Sequence, residues 1–160
     1  MIELRRGPYV LTTDRSRLDL ELIYRYLTEE SYWGRYITPE ILARAVRNSL
    51  CIGLYRGRGQ VAFGRAITDH ATFGYLADVF VVEGHRGCGL GTWLVQVLVS
   101  HPSISGCRHW LLRTKDAHAF YARLGFTPLA ANGRLMARDD GYRDVALVDV
   151  ISNDGTDVPP

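Results

Sequence analysis

One stretch of the sequence, from Tyr75 to Leu94, limits the possible fold more than any other. Its first half is apolar and rich in valine and aromatic residues, which is typical of a strand buried on both faces. Arg86 and three glycines follow, and from Leu90 the apolar residues recur at helical spacing. The stretch therefore predicts a buried strand, a glycine loop and the beginning of a helix.

The loop between this strand and this helix predicts a site for a phosphate-bearing ligand. The first turn of a helix has unpaired backbone N–H groups and carries the positive end of the helix dipole. Glycines let a phosphate approach these groups, and Arg86 adds a charged side chain. We expect the loop to bind a diphosphate through Arg86, Gly87, Cys88, Gly89, Leu90, Gly91 and Thr92.

These residues do not match the sequence patterns of two common phosphate-binding loops. A P-loop ends in Gly-Lys followed by Ser or Thr, whereas this loop ends in Gly91 and Thr92 without a lysine. The dinucleotide fingerprint has the spacing G-x-G-x-x-G, but Gly87, Gly89 and Gly91 have the spacing G-x-G-x-G. The pattern that remains is R-x-x-G-x-G, which begins at Arg86.

This R-x-x-G-x-G pattern, preceded by Val79 and Val81, resembles the acetyl-CoA signature of the GNAT superfamily of N-acetyltransferases. The segment from Asp116 to Phe126 resembles the second motif of that family, a helix that carries a tyrosine and ends in Gly-Phe. The resemblance extends from about residue 61 to residue 136. It implies acetyl-CoA as co-substrate and transfer of the acetyl group to an amine.

The resemblance also implies the fold. It is an α/β (α+β) fold, a mixed and mostly antiparallel twisted sheet of six to seven strands flanked by about four helices. Local patterns predict a helix capped by Ser16, a helix over 39–48 and a hairpin of strands 50–55 and 61–68. Further strands are predicted over 9–13, 109–113, 126–129 and 134–138, with 109–113 parallel to the central strand.

Composition limits the class of protein. The length of 160 residues predicts a single domain, residues 1–151, followed by a disordered tail, residues 152–160. A net charge of +2 argues against a nucleic-acid partner, and the absence of a long apolar stretch argues against a membrane partner. We expect a cytoplasmic protein with reduced cysteines. The apolar segment 145–151 predicts either an edge strand or a homodimer contact.

Asp78 and Tyr121 are the candidate catalytic residues. Asp78 is expected to share a strand face with Leu76 and Phe80, and carboxylates in such dry surroundings hold a proton more tightly, as a general base near neutral pH requires. The alternative is a structural carboxylate bonded to backbone amides at a bulge or to an arginine. In the resembling family, the tyrosine at the place of Tyr121 protonates the departing CoA thiolate, and a phenol can do so. The alternative is a core tyrosine.

Other residues are candidates for binding. The backbone N–H of Val79 or Phe80 is a candidate to stabilise the developing oxyanion, and Val81 lies beside them. Asp116 occupies the position at which the family often has an asparagine that reaches the pantetheine arm, although helix capping is an alternative role for an aspartate. The segment that borders the acceptor pocket in the family contains Tyr32, Trp33 and Arg35, so these residues are candidates to bind a small-molecule amine.

Two other functions are compatible with parts of the sequence. The protein could bind CoA without transferring an acetyl group. It could also be a zinc-stabilised interaction domain, with His85, Cys88, Cys107 and His109 as ligands. These residues lack the spacing of the usual zinc knuckles, and Cys88 lies within the phosphate loop. We therefore expect no metal.

Overall fold

The computed structural model describes residues 1–34 and 37–129, which form a six-stranded sheet with helices packed on both faces. The strands are adjacent in chain order, antiparallel except for the last pair. They are β1 (Glu3–Arg6), β2 (Tyr9–Thr12), β3 (Leu50–Arg56), β4 (Gly59–Thr68), β5 (Phe73–Val81) and β6 (His109–Leu112). The α-helices in these ranges are α1 (Leu20–Arg25), α2 (Pro39–Arg47), α3 (Leu90–Val99) and α4 (His118–Ala122). The predicted fold class is confirmed.

Alternating residues of the central strands contribute to two cores. Ala62 and Ala66 of β4 pack in a cluster with Leu94 and Leu98 of α3. Phe63 of β4 faces the opposite way and packs with residues of α1 and α2, such as Ile23 and Leu42. The period-two pattern of buried strands therefore places α3 on one face of the sheet and α1 with α2 on the other.

In the N-terminal third of the chain, the predicted start of one helix is confirmed, one predicted helix cap is wrong and one strand was not predicted. Helix α2 begins as predicted, because Thr38 caps it through a bond from the Ile41 N–H and proline occupies its first position. The predicted Ser16 cap of the first helix is wrong. Asp14 accepts bonds from the backbone and side chain of Ser16 in a separate 3₁₀ turn, and Asp19 caps α1. Strand β1 was not predicted, since all four of its residues are exposed.

Strands β5 and β6 are parallel, as the strand–helix–strand order predicts. Their pairing extends only from Phe73 to Leu76 of β5, and β5 continues for five more residues to Val81. In the described part of the chain, this last part of β5 pairs with β4 alone. Within residues 1–34 and 37–129, the sheet is therefore open beside the C-terminal half of β5.

The segment after α4 differs from its predicted strand. Gly125 has φ of +88°, and the Phe126 N–H donates a hydrogen bond back to the Tyr121 carbonyl. This closes the helix with a left-handed residue, and residues 126–129 then have no regular secondary structure. The predicted strand 134–138, the segment 145–151, the domain boundary at 151 and the tail 152–160 lie outside the described residues.

None of the helices in residues 1–34 and 37–129 combines the length and the hydropathy that a membrane crossing requires.

Candidate functional site

A cavity of about 660 Å³ lies beside the open part of β5. Four segments form its walls: the end of β5, the glycine loop with the start of α3, the helix α4, and the segment that follows α1. The lining residues are Tyr26, Glu30, Tyr32, Trp33, Val79, Phe80, Val81, His85, Arg86, Gly87, Gly89, Leu90, Gly91, Thr92, Asp116, Ala117, Phe120, Tyr121 and Arg123. Most of the residues that the sequence singles out are thus brought together around one space.

The glycine loop presents the N-terminus of α3 to this cavity. Gly87 and Gly89 have φ of +78° and +72°, a region that favours glycine, and a Cβ at either position would meet no atom within 4 Å. Gly89 is the N-cap residue of the ten-residue helix α3, and its missing side chain leaves the first-turn N–H groups accessible. The loop therefore fits a diphosphate, which needs close approach to backbone donors and a positive field.

Arg86 is held at the cavity by two hydrogen bonds. Its Nε donates to the Val81 carbonyl at 2.9 Å and its Nη2 donates to the Tyr26 hydroxyl at 3.0 Å. The Tyr26 ring is 8% exposed and stacks on Phe80, with centroids 3.8 Å apart. Counting partners in the described ranges, these bonds use two of the five guanidinium donors and leave three for an anion. Sequence reasoning missed Tyr26, because it lies 60 residues from Arg86.

The predicted common face of Leu76, Asp78 and Phe80 is wrong, because β5 contains a bulge. Ala77 is opposite Arg65 and Phe80 is opposite Phe63, so two residues of β5 face one residue of β4. Leu76 belongs to the core cluster on the α3 side, whereas Phe80 belongs to the cluster on the other side.

Asp78 does not line the cavity. Its Oδ2 accepts a hydrogen bond from Arg65 Nε at 2.6 Å, and the two side chains are only 10% and 12% exposed. This is the structural alternative, a carboxylate paired with an arginine at a bulge. The role of general base stays a prediction, and the geometry of Asp78 gives it no support.

Tyr121 lines the cavity from α4 and is half-buried. Its ring makes edge contacts with Phe120 and Phe126, at centroid distances of 4.9 and 5.8 Å. Burial, with smaller contributions from Tyr32 and Tyr75, raises the pKa of Tyr121 to about 12. The hydroxyl therefore stays protonated near neutral pH and can donate a proton or a hydrogen bond within the cavity.

Asp116 lies on the cavity wall and does not cap α4. Ala117 is the N-cap residue of this helix, and its N–H donates to Thr114 Oγ1 at 3.0 Å. The exposed Asp116 carboxylate thus remains at the cavity, and it adds negative charge to the wall.

The segment after α1 brings two aromatic residues and a carboxylate to the cavity. Tyr32 and Trp33 are 41% and 42% exposed and make an edge contact, with centroids 4.8 Å apart. The Tyr32 hydroxyl accepts a bond from the Lys115 backbone N–H at 2.6 Å, which ties this segment to the loop before α4. Glu30 ends the π-helical turn Tyr26–Glu30 and also lines the cavity. Arg35 lies outside the described residues.

The alternative of a zinc site requires residues that lie at different ends of β5. His85 follows the end of β5 and bonds through Nδ1 with the Tyr9 hydroxyl. Cys107 bonds to the carbonyl of Phe73, at the beginning of β5. Across the described ranges, no three His, Cys, Asp or Glu side chains form a potential metal site. Cys88 is exposed and is not part of the cavity wall, although it lies in the glycine loop.

The sequence is similar to a known protein family and to individual proteins. Residues 47–128 match the acetyltransferase (GNAT) domain family. A candidate acetyltransferase of Gibberella zeae is 34% identical over 143 residues, which cover 75% of this chain and 80% of that protein. Glucosamine 6-phosphate N-acetyltransferase 1 of Oryza sativa subsp. japonica is 30% identical over 108 residues, which cover 62% of this chain and 64% of that protein.

A solved structure supports the same relationship. A candidate acetyltransferase of the GNAT family from Xanthomonas campestris pv. campestris is 44% identical and superposes with a TM-score of 0.78. The superposition covers 82% of this chain and 92% of that one. The chain therefore belongs to the GNAT acetyltransferase family.

Proposed function

We propose that the protein transfers an acetyl group from acetyl-CoA to a primary amine within a ternary complex. The observation that carries the proposal is the composition of one cavity, which has the glycine loop and Arg86 on one wall and the Tyr121 hydroxyl on another. The loop offers donors for a diphosphate, and Tyr121 offers a proton donor for a leaving thiolate. Membership of an acetyltransferase family supports the combination.

Acetyl-CoA supplies the activated acetyl group, and the residues of this chain bind and orient it. Arg86 and the first-turn N–H groups of α3 hold the diphosphate. The backbone N–H of Val79 or Phe80 is the candidate donor to the developing oxyanion, and both residues line the cavity. Tyr121, whose hydroxyl lies on the cavity wall and is protonated at neutral pH, then donates its proton to the departing thiolate.

We further propose a small-molecule amine as acceptor. The Glu30 carboxylate and the Tyr32 and Trp33 rings favour an ammonium group, by charge and by cation–π contact. The amine must lose a proton before it attacks, and the carboxylates that line the cavity within the described residues are Glu30 and Asp116. The name of the rice relative denotes transfer to nitrogen, which supports an amine as acceptor.

Release of free CoA thiol from acetyl-CoA across a panel of primary amines tests the proposal. With an active amine, Tyr121→Phe is expected to lower kcat at least tenfold and to leave the Kd for acetyl-CoA unchanged, because a positioned acid contributes about 10²- to 10⁴-fold. Tyr24→Phe is the matched control, because Tyr24 lies in α1 and is not part of the cavity wall.

An unchanged kcat in Tyr121→Phe would remove this tyrosine from the chemistry. Tight binding of acetyl-CoA by the wild type, without amine-dependent thiol release across the panel, would indicate a CoA-binding module instead.

A further inference from the structure

Strand β5 changes the direction of its side chains at Asp78. Before this residue, Leu76 packs on the α3 side of the sheet. After it, Val79 and Val81 pack on that side, and Phe80 packs on the opposite side with Phe63. One extra residue in the strand therefore shifts the alternation by one position.

The backbone at this point is unusual for a residue with a side chain. Asp78 has φ of +53°, in the left-handed region that few residues other than glycine adopt. Asparagine and aspartate tolerate this region better than alanine does. A conformation of this kind persists where the surroundings hold it in place.

A partly buried network of hydrogen bonds ties the Asp78 carboxylate to neighbouring segments. Arg65 donates from Nε to Asp78 Oδ2 at 2.6 Å and from Nη1 to Ser49 Oγ at 3.1 Å. The Ser49 carbonyl in turn accepts a bond from Arg15 Nη2 at 2.6 Å. The carboxylate is therefore tied to β4 and to the end of α2, on the face of the sheet opposite α3.

Strand β4 has a glycine opposite the bulge, and this glycine faces helix α3. Gly64 is the single residue of β4 between the positions that pair with Ala77 and Phe80. A Cβ on Gly64 would lie 2.7 Å from Leu94 Cδ2 and 3.4 Å from Val79 Cγ2. Helix α3 and the bulge thus pack closely over this glycine.

We propose that the Arg65–Asp78 ion pair is a positioning device for the acetyl-transfer site and that Asp78 takes no proton from the amine. The pair keeps the bulge in place. The bulge in turn determines which backbone groups and side chains of Val79, Phe80 and Val81 face the cavity. Loss of the bulge would shift these three residues by one position and would exchange their faces. The inference rests on the proposed transferase function.

Three substitutions at Asp78 separate positioning from proton transfer. Asp78→Asn keeps tolerance of positive φ and an oxygen that can accept from Arg65, but it has no basic carboxylate. Asp78→Gly keeps the tolerance of positive φ but loses the acceptor for Arg65. Asp78→Ala loses both the tolerance and the acceptor. We expect kcat within about threefold of wild type for Asn, a rate about tenfold lower for Ala, and an intermediate rate for Gly. The Kd for CoA should stay constant in Asp78→Asn and rise in Asp78→Ala, because Val81 and Phe80 contact Arg86 and Tyr26.

The opposite pattern would overturn the proposal. A general base predicts losses of about 10²- to 10⁴-fold for Asn, Gly and Ala alike. A wild-type rate in Asp78→Ala would equally show that the pair has no role. Arg65→Met is the second probe, which leaves the carboxylate but removes its partner. Positioning predicts a fall in kcat similar to that of Asp78→Ala, and an unchanged rate contradicts it.

A crystal structure of Asp78→Ala provides a readout that needs no acceptor. We expect Val79 and Val81 to leave the α3 side of the sheet, and retention of their present faces would overturn the proposal. Absence of amine-dependent thiol release in the wild type would instead refute the proposed function, so the two failures are distinguishable.

Discussion

Removal of one hydroxyl group, in Tyr26→Phe, is expected to weaken CoA binding through its effect on Arg86. The Tyr26 ring is buried and stacks on Phe80 at an interplanar angle of 8°, and phenylalanine retains that packing. What the substitution removes is the 3.0 Å hydrogen bond from Arg86 Nη2. Arg86 would then keep a single bond, from Nε to the Val81 carbonyl.

The expected rise in the Kd for CoA follows from the entropy cost of ordering the Arg86 side chain. Immobilising such a side chain on binding costs about 0.5–1.5 kcal/mol. Since about 1.4 kcal/mol corresponds to a tenfold change, Tyr26→Phe should raise the Kd for CoA by roughly 2- to 12-fold. Arg86→Ala removes the charged donors themselves. Hydrogen bonds to a charged group contribute about 1.5–3 kcal/mol, so the Kd of Arg86→Ala for CoA should rise by roughly 10- to 150-fold.

Titration calorimetry with CoA on the wild type, both single variants and the double variant measures the coupling. If Tyr26 acts through Arg86, Tyr26→Phe has no further effect once Arg86 is alanine. The same fold-change in both backgrounds would refute the reasoning. In the transfer assay, the KM for acetyl-CoA should rise and kcat should stay constant, since the reacting end of the cavity is unaltered. Tyr24→Phe is again the control.

Two glycine substitutions test other parts of the structure. Gly89→Ala forces alanine to φ of +72°, which costs about 1–2 kcal/mol. The Kd for CoA measured by calorimetry should therefore rise by roughly 5- to 30-fold. An unchanged Kd would contradict the assigned loop geometry. Gly84→Ala, outside the cavity wall, is its control. Gly64→Ala places a Cβ 2.7 Å from Leu94 Cδ2 and should lower the free energy of unfolding in urea by about 1–3 kcal/mol. Gly59→Ala in the same strand meets only the Arg56 carbonyl at 3.8 Å and should change it by less than about 0.5 kcal/mol.

Features set by local sequence were predictable. Thr38 and Pro39 specify the start of α2, because a cap and a fixed φ act within one turn. The hairpin of β3 and β4 follows from two apolar runs around Gly57, whose φ is +60°. The glycine loop and α3 follow from a change in the period of apolar residues at Leu90. In each case, the interactions that fix the element join residues close together in the chain.

Features set by distant partners were not predictable from these patterns. The bond between Tyr26 and Arg86 spans 60 residues, and the bond between Tyr32 and Lys115 spans 83. Neither pair leaves a periodic signal, since each depends on how the segment after α1 packs against the rest of the chain.

Asp78 and Tyr121 were selected on different grounds, Asp78 as a carboxylate among apolar residues and Tyr121 by its place in the second family motif. They also have different surroundings in the structure. The assumption of strict alternation along β5 put Asp78 on a shared face with Leu76 and Phe80, and the bulge opposite Gly64 makes that assumption fail. Arg65 then engages the Asp78 carboxylate away from the cavity wall. Tyr121 lines the cavity, and among the described residues no side chain or carbonyl accepts a hydrogen bond from its hydroxyl. Within the described part of the chain, Tyr121 is therefore the one of these two residues whose polar group is left for a ligand, and its catalytic role stays a prediction.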